Sequence, residues 1–390
     1  MGQRVAIVGI GQTYHKSKRP DVNIGEMINE AVRAALEDAQ LTTKDLDAVL
    51  CTNMDFFEGF YLSDTTWANY NGAYLKPGMK VQTGGTTGGT AAVAGWYHVA
   101  SGAYDIVMTV AYQKLDEPIS SQTALISANE PIYDACFITG TLGYFGLLAT
   151  RYMIDTGCTE EHAALCRVKS DKNAMRTPHA HLKLGITVDD VMKSRPLAFP
   201  LRLLHMCPST SGACAMIMAS EKKAEKISKK PVWYKDHITI HQESSSPPLP
   251  VGPAAPPSTK TVAAQKLFAR NGITNPRKDI QLFEMYDPAS WAELAWLEEF
   301  LICEKGEAWK LLEKGVWDLE GEFPVNPSGG VVATNPIGAT GMIRVAEAAL
   351  QVRGDAGEHQ VTRDVKRAIA SAFGGSNYTV LHLLTKSKDD

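Results

Sequence analysis

Two stretches far apart in this chain repeat one pattern, and the repetition limits the available folds more than any other feature. Residues 28–55, INEAVRAALEDAQLTTKDLDAVLCTNMD, and 262–287, VAAQKLFARNGITNPRKDIQLFEMYD, run in parallel. Each starts with the Ala/Leu face of a helix and passes through a short turn. Each then has a Lys-Asp pair (Lys44-Asp45, Lys278-Asp279) and an apolar strand. GTTGGTAAVAGWYHVASG (85–102) and GATGMIRVAEAALQVRG (338–354) likewise each open a helix with glycines. An internal duplication on the scale of half the chain accounts for both pairs. VAIVGIG (5–11) is a continuous apolar run, as a strand buried on both faces requires. Residues 24–41 repeat apolar side chains every three or four positions, the period of a helix. Strands are expected within 45–54 and 101–113. Strands alternating with helices indicate an α/β fold with a largely internal sheet.

The 390 residues divide on this reading into an N-terminal half, 1–235, carrying an inserted loop domain at about 115–230, and a C-terminal half, 236–390. Residues 244–257, SSSPPLPVGPAAPP, hold six prolines, which fits either a stiff surface linker or a loop covering a ligand channel. A net charge of −4 offers no basic surface for nucleic acid or an anionic membrane. No run reaches the roughly 18–20 apolar residues of a membrane span. The N-terminus carries no cleavage signal, so a cytoplasmic protein is expected. The seven cysteines are odd in number and include no CxxC pair, which argues against a disulfide framework and against a zinc site built by this chain.

Four segments could carry chemistry. GGTTGGTAA (84–92) places glycines at a strand-to-helix junction, where amide N–H groups can hold a developing negative charge. The same glycines also suit close packing of two buried helices. The segment lacks the Gly-Lys-Ser/Thr of a phosphate loop and the spacing of a dinucleotide fingerprint. FEMYDPAS (283–290) ends an expected strand with Tyr286, a hydrogen-bond donor and possible acid or base, or else a core tyrosine. VNPSGGVVATNPIGATG (325–341) puts Asn335 just before a helix, where its amide can hold an oxyanion but cannot act as a base. SAFGGSNY (371–378) offers the N–H groups of Gly374 and Gly375.

In this order the segments resemble the thiolase superfamily, above all its sterol-carrier-protein-2-like branch. NPSGG…NPIGATG is close to the family's SGG…GHPxGATG, EMYDPAS to its E-x-H-D-x-F-S/T, and PLRLLHMCPSTSGACAMI to its PL-x-x-x-x-C-x-x-x-D-G-A. The resemblance implies a duplicated core in five layers, α-β-α-β-α, with two internal sheets and an inserted loop domain that grips coenzyme A. It implies acyl-CoA thioesters as substrates, no tightly bound cofactor, and a dimer or tetramer. It also implies, for many members of the branch, a small partner with a zinc ribbon and an oligosaccharide/oligonucleotide-binding-type fold; any zinc would belong to that partner.

The family's chemistry uses a cysteine that carries the acyl group, an activating histidine and often a second cysteine near the C-terminus. Here the nucleophile's place falls on Gly85, by its spacing to Ser101-Gly102, and the GHP histidine falls on Asn335. The C-terminal loop has Ser371, Ala372 and Phe373 before Gly374, and no cysteine. Tyr286 stands where relatives place an Asn or His of the oxyanion hole. Three accounts compete. A lyase would break a β-hydroxyacyl-CoA by retro-aldol cleavage, with Tyr286 as base or donor and with Asn335 and the amides near Gly85 and Gly375 around the thioester oxygen. The thiolase-like aldolases resembled here also have Gly and Tyr at these places, but carry a second Tyr at the place of Asn335. An atypical thiolase would use a relocated thiol, Cys136 or Cys207. A catalytically silent subunit would only bind CoA. Trp96, Trp291 and Trp296 would either line an aromatic acyl pocket or pack the core.

Overall fold

The computed structural model describes residues 2–59, 62–116, 121–126, 140–242, 257–374 and 378–390. Cys136, Gly375 and the Pro-rich stretch up to residue 256 lie outside them.

The elements that position the site are strands β1 (Val5–Gln12), β2 (Ala48–Thr52), β3 (Ile106–Gln113), β4 (Gly212–Ser220), β5 (Val232–Ile240), β6 (Leu282–Glu284), β7 (Arg367–Gly374) and β8 (Tyr378–Thr385). The helices are α1 (Ile24–Ala39), α2 (Thr87–Ala100), α3 (Gly140–Thr156), α4 (Glu160–Ala174), α5 (Thr259–Arg270), α6 (Ser290–Glu299) and α7 (Ile337–Arg353).

The strand order is β2-β3-β4-β1-β5-β8-β7-β6, which reads the same from either end once the halves are matched. β2 runs parallel to β3, β3 antiparallel to β4, and β4 antiparallel to β1. In the second half β6 runs parallel to β7, β7 antiparallel to β8, and β8 antiparallel to β5. The duplication expected from the sequence is therefore present strand by strand. The two arrays meet through a short antiparallel contact, Ala6↔Trp233 and Ile7↔Val232. β4 lies within the span 115–230 that the sequence suggested as an insert, and residue 235 falls inside β5.

α1 packs on β1 and β4, and α5 on β5 and β8, as the two outer layers. α2 and α7 lie side by side between the arrays and touch strands of both, completing the α-β-α-β-α order. α1 is amphipathic, burying Met27, Ile28, Ala31, Val32 and Ala35 on one stripe. Asn23 and Glu26 close its N-terminus by a reciprocal capping box. α7 is buried almost all round, so its polar residues need partners. Arg344 donates to Glu284 (2.6 Å) and Ser328 (2.7 Å). Glu347 accepts from Gln12 (2.7 Å) and pairs with His359 (2.9 Å). The axis of the molecule is thereby tied to β1 and β6. Among the described residues no helix is long and apolar enough to cross a membrane, and no three His, Cys, Asp or Glu side chains gather as metal ligands.

Candidate functional site

β6 ends in Glu284, and the chain then continues through Met285, Tyr286 and Asp287 against the NPSGG loop. Glu284 accepts from the Ser328 amide (2.9 Å) and hydroxyl (2.8 Å). Asn326 accepts from the Met285 amide (2.6 Å), and Asp287 from the Val331 amide (2.6 Å). Gly330 has φ +70°, and a Cβ there would stand 2.6 Å from the Asp287 carboxylate. This motif is a clamp that fixes the backbone of the Tyr286 segment. The Tyr286 amide donates to Ser371 Oγ at 3.0 Å, which ties the segment to β7 as well.

Tyr286 is 3 % exposed, and its ring lies 6.5 Å from that of Phe373, centroid to centroid. Its hydroxyl makes no hydrogen bond among the described residues. Burial pushes that hydroxyl well above the ordinary tyrosine range; Cys207 and Asp287 act in the same direction and Arg344 opposes them. The group is a neutral phenol at any working pH.

Cys207 reaches the same place from the loop before β4. Its amide donates to the Pro288 carbonyl at 3.0 Å, and Met206 bridges Ala289. Asn335 Nδ2 donates to Cys207 Sγ at 3.1 Å. Burial drives the Cys207 thiol up to about 12, with the Asn335 hydrogen bond pulling it down and Asp287 pushing it up. The other end of the amide is also engaged, since Thr340 Oγ1 donates to Asn335 Oδ1 at 2.8 Å. Thr210 Oγ1 accepts from the Asn335 amide N–H (3.1 Å) and contacts His181 Nδ1 (2.9 Å). Asn335 is thus a fixed donor with one side-chain N–H on sulfur. Tyr286, Cys207 and Asn335 form one chain of neighbours. Sequence reasoning passed over Thr210 and Thr340, whose only signal was their nearness to Cys207 and to the Gly-rich helix start.

Gly85 and Gly374 are brought together as well. A Cβ on Gly85 would lie 2.7 Å from the Phe373 carbonyl oxygen and 3.1 Å from Gly374 Cα. A Cβ on Gly374 would lie 2.7 Å from the Thr86 nitrogen and 3.0 Å from that of Gly85. The two loops are in backbone contact, and neither tolerates a side chain. A few residues on, a Cβ at Gly88 would meet the Met342 nitrogen at 2.7 Å, and one at Gly341 the Gly89 nitrogen at 2.6 Å. The Gly-rich run therefore does serve close packing, of α2 on α7, in addition to ending at the candidate site.

A cavity of about 790 Å³ lies beyond Phe373, between α3, the start of α5 and α6. Trp291 and Trp296 line it; Tyr286, Cys207 and Asn335 do not. Trp96 is elsewhere, packed edge-on to His237 with its Nε1 donating to the Tyr234 carbonyl (3.0 Å).

Residues 255–385 match the family model described as a thiolase C-terminal domain-like region. An acetyl-CoA acetyltransferase of Methanothermobacter thermautotrophicus is 33% identical over 98% of this chain and 99% of its own. The benzoylsuccinyl-CoA thiolase subunit BbsB of Thauera aromatica is 28% identical over 96% of this chain and 95% of its own. The solved Ltp2-ChsH2(DUF35) aldolase superposes with a TM-score of 0.84 at 25% identity, covering 99% of both chains. With a relative of this similarity along nearly its whole length, the chain belongs to the thiolase superfamily, in its sterol-carrier-protein-2-like branch, and is an acyl-CoA enzyme of that superfamily.

Proposed function

We propose that the protein cleaves the Cα–Cβ bond of a β-hydroxyacyl-CoA by a retro-aldol step that forms no acyl-enzyme. The observation that carries this reading is steric: the nucleophile's place, Gly85, has no room for a Cβ. The described thiol that contacts Asn335, Cys207, is held neutral by burial. Tyr286, by contrast, offers a hydroxyl with no hydrogen-bond partner among the described residues. A phenol that stays neutral can relay a proton without a net change in charge. It accepts the substrate's β-hydroxyl proton as the C–C bond breaks and gives its own to the enolate carbon. The products are an aldehyde or ketone and a shortened acyl-CoA. Asn335 and the amides at Gly85 and Gly374 are the donors assigned to the thioester oxygen, on which the enolate charge develops.

A second reading, CoA-dependent thiolysis through Cys207, is favoured by one contact, the Asn335 N–H on Cys207 Sγ, which stabilises a thiolate. Coenzyme A is product in the first reading, as part of the shortened acyl-CoA, and substrate in the second. We further assign the chain a homodimeric core and a small zinc-ribbon/OB-fold partner; the presence of a second kind of chain is supported by relatives whose names describe a complex and a subunit. The six described cysteines are all free, as a reducing cytoplasm keeps them.

The test incubates the protein, alone and with the partner, with a β-hydroxyacyl-CoA and separately with a β-ketoacyl-CoA plus CoA. Carbonyl release from the first supports the lyase. CoA consumption with the second alone supports thiolysis. Turnover of neither leaves a subunit that only binds CoA and overturns both.

A further inference from the structure

The cavity beyond Phe373 contains an unusual cation. Lys260, in the first turn of α5, is 4 % exposed. Its ammonium stands 4.5 Å from the centre of the Trp296 ring and 5.0 Å from that of Phe373. Glu299 Oε2 forms an ion pair with it at 3.1 Å, yet the two are too poorly aligned for a hydrogen bond, and this buried oxygen accepts none among the described residues. Lysine brings three N–H donors, and none is matched by a well-directed acceptor among the described residues. A buried ammonium in this condition is held by ring faces and one misaligned carboxylate, and it is costly unless something completes its shell.

The other charges of the wall are already matched. Asp155 pairs with Arg151 (2.7 Å) and Lys305 (3.0 Å). Glu298 accepts from the Tyr152 hydroxyl (2.6 Å) and the Ala308 amide (3.1 Å). Lys266 is exposed to water. The uncharged wall combines aromatic and aliphatic side chains (Tyr144, Phe145, Trp291, Trp296) with the hydroxyls of Ser258 and Thr261, and about 790 Å³ is the size of a site for a ring-bearing ligand, far larger than an acetyl group needs. Phe373 links this space to Tyr286: its ring centroid lies 4.6 Å from that of Trp296 on the wall and 6.5 Å from that of Tyr286.

We infer that this cavity receives the part of the substrate remote from the thioester, and that Lys260 selects for a carboxylate on it. The substrate class is then a ring-bearing acyl-CoA with a second, free acid group. This inference rests on the acyl-CoA reading above. The carboxylate takes the place that Glu299 fills imperfectly; Glu299, whose side chain is 34% exposed, turns outward to water.

The experiment measures binding by calorimetry, and by quenching of Trp291 and Trp296 fluorescence. The probes are CoA, 3-phenylpropanoyl-CoA, 3-(4-carboxyphenyl)propanoyl-CoA and the free diacid of the last. The native protein is expected to bind the carboxylated thioester at least tenfold more tightly than the uncharged one. Lys260→Met should remove that preference and Lys260→Arg should keep it, with melting curves as the control for folding. Equal affinity for the two thioesters in the native protein overturns the inference whether or not the variants fold, and so does a preference that survives Lys260→Met. If CoA and both thioesters fail to bind while the free diacid binds through Lys260, the acyl-CoA reading falls and the anion site stands. If the thioesters bind without preference, the reverse holds.

Discussion

Replacing Gly85 by alanine or cysteine puts a Cβ where the structure has the Phe373 carbonyl at 2.7 Å and Gly374 Cα at 3.1 Å. Both neighbours are backbone, and neither can rotate away. The end of β7 must retreat by a few tenths of an ångström, and with it the Ser371 hydroxyl that holds the Tyr286 amide. Overpacking of this kind costs about 1–3 kcal/mol. With a denaturant slope of about 3 kcal/mol per molar urea, the midpoint falls by roughly 0.3–1 M. Gly85→Ala measures the steric part alone, and Gly85→Cys should match it without acquiring thiolase activity. Urea melts of both variants, with CoA-dependent cleavage of a β-ketoacyl-CoA as the activity readout, make the comparison. A Gly85→Cys protein as stable as the native one, and active in thiolysis, would refute the steric argument.

Three further outcomes follow from the same geometry. Tyr286→Phe removes a hydroxyl with no hydrogen-bond partner among the described residues, so stability should change by no more than about 1 kcal/mol; carbonyl release should fall by roughly 10²–10⁴-fold, as loss of an acid–base group does. Cys207, pushed up to about 12, has roughly one thiol in ten thousand ionised at pH 8, so iodoacetamide should alkylate it far more slowly than a free cysteine, as peptide mass mapping would show. Burial raises Glu58 to about 7 against the opposing hydrogen bonds of the Lys114 amide, Asn53 and Gln113. The folded state therefore holds this proton more tightly than the unfolded chain does. Its contribution is complete below the ordinary carboxylate value and is lost as pH rises toward 7; Glu58→Gln should flatten that loss in melts taken between pH 4.5 and 7.

Much of the architecture could be read from the chain because duplication leaves its mark on periodicity. The helix face of 24–41 and the run 5–11 became α1 and β1, and the matched Lys-Asp turns lead into β2 and β6. β4 was harder to place, because an apolar run such as GACAMIMAS carries no sign of its neighbours in the sheet, and it was counted with the insert. At the site, Tyr286 and Asn335 stood out as residue types in motif positions. The reason for Gly85 did not, because a missing side chain in a sequence says nothing of what fills its place; only the packing of Phe373 and Gly374 does. Lys260 was invisible for a related reason. A lysine at a helix start reads as solvated, and its cage comes from Trp296 on α6 and Phe373 on β7, which no sequence spacing connects.

Cleavage without a covalent acyl intermediate is the central step of the proposed reaction. The direct measurement is intact protein mass during a single turnover of a β-hydroxyacyl-CoA labelled in its acyl part, with small-molecule products collected at the same time points. An unchanged protein mass is predicted while the label leaves as an aldehyde or ketone and a shortened acyl-CoA. A protein that gains the mass of an acyl group, mapped to Cys207, would contradict it.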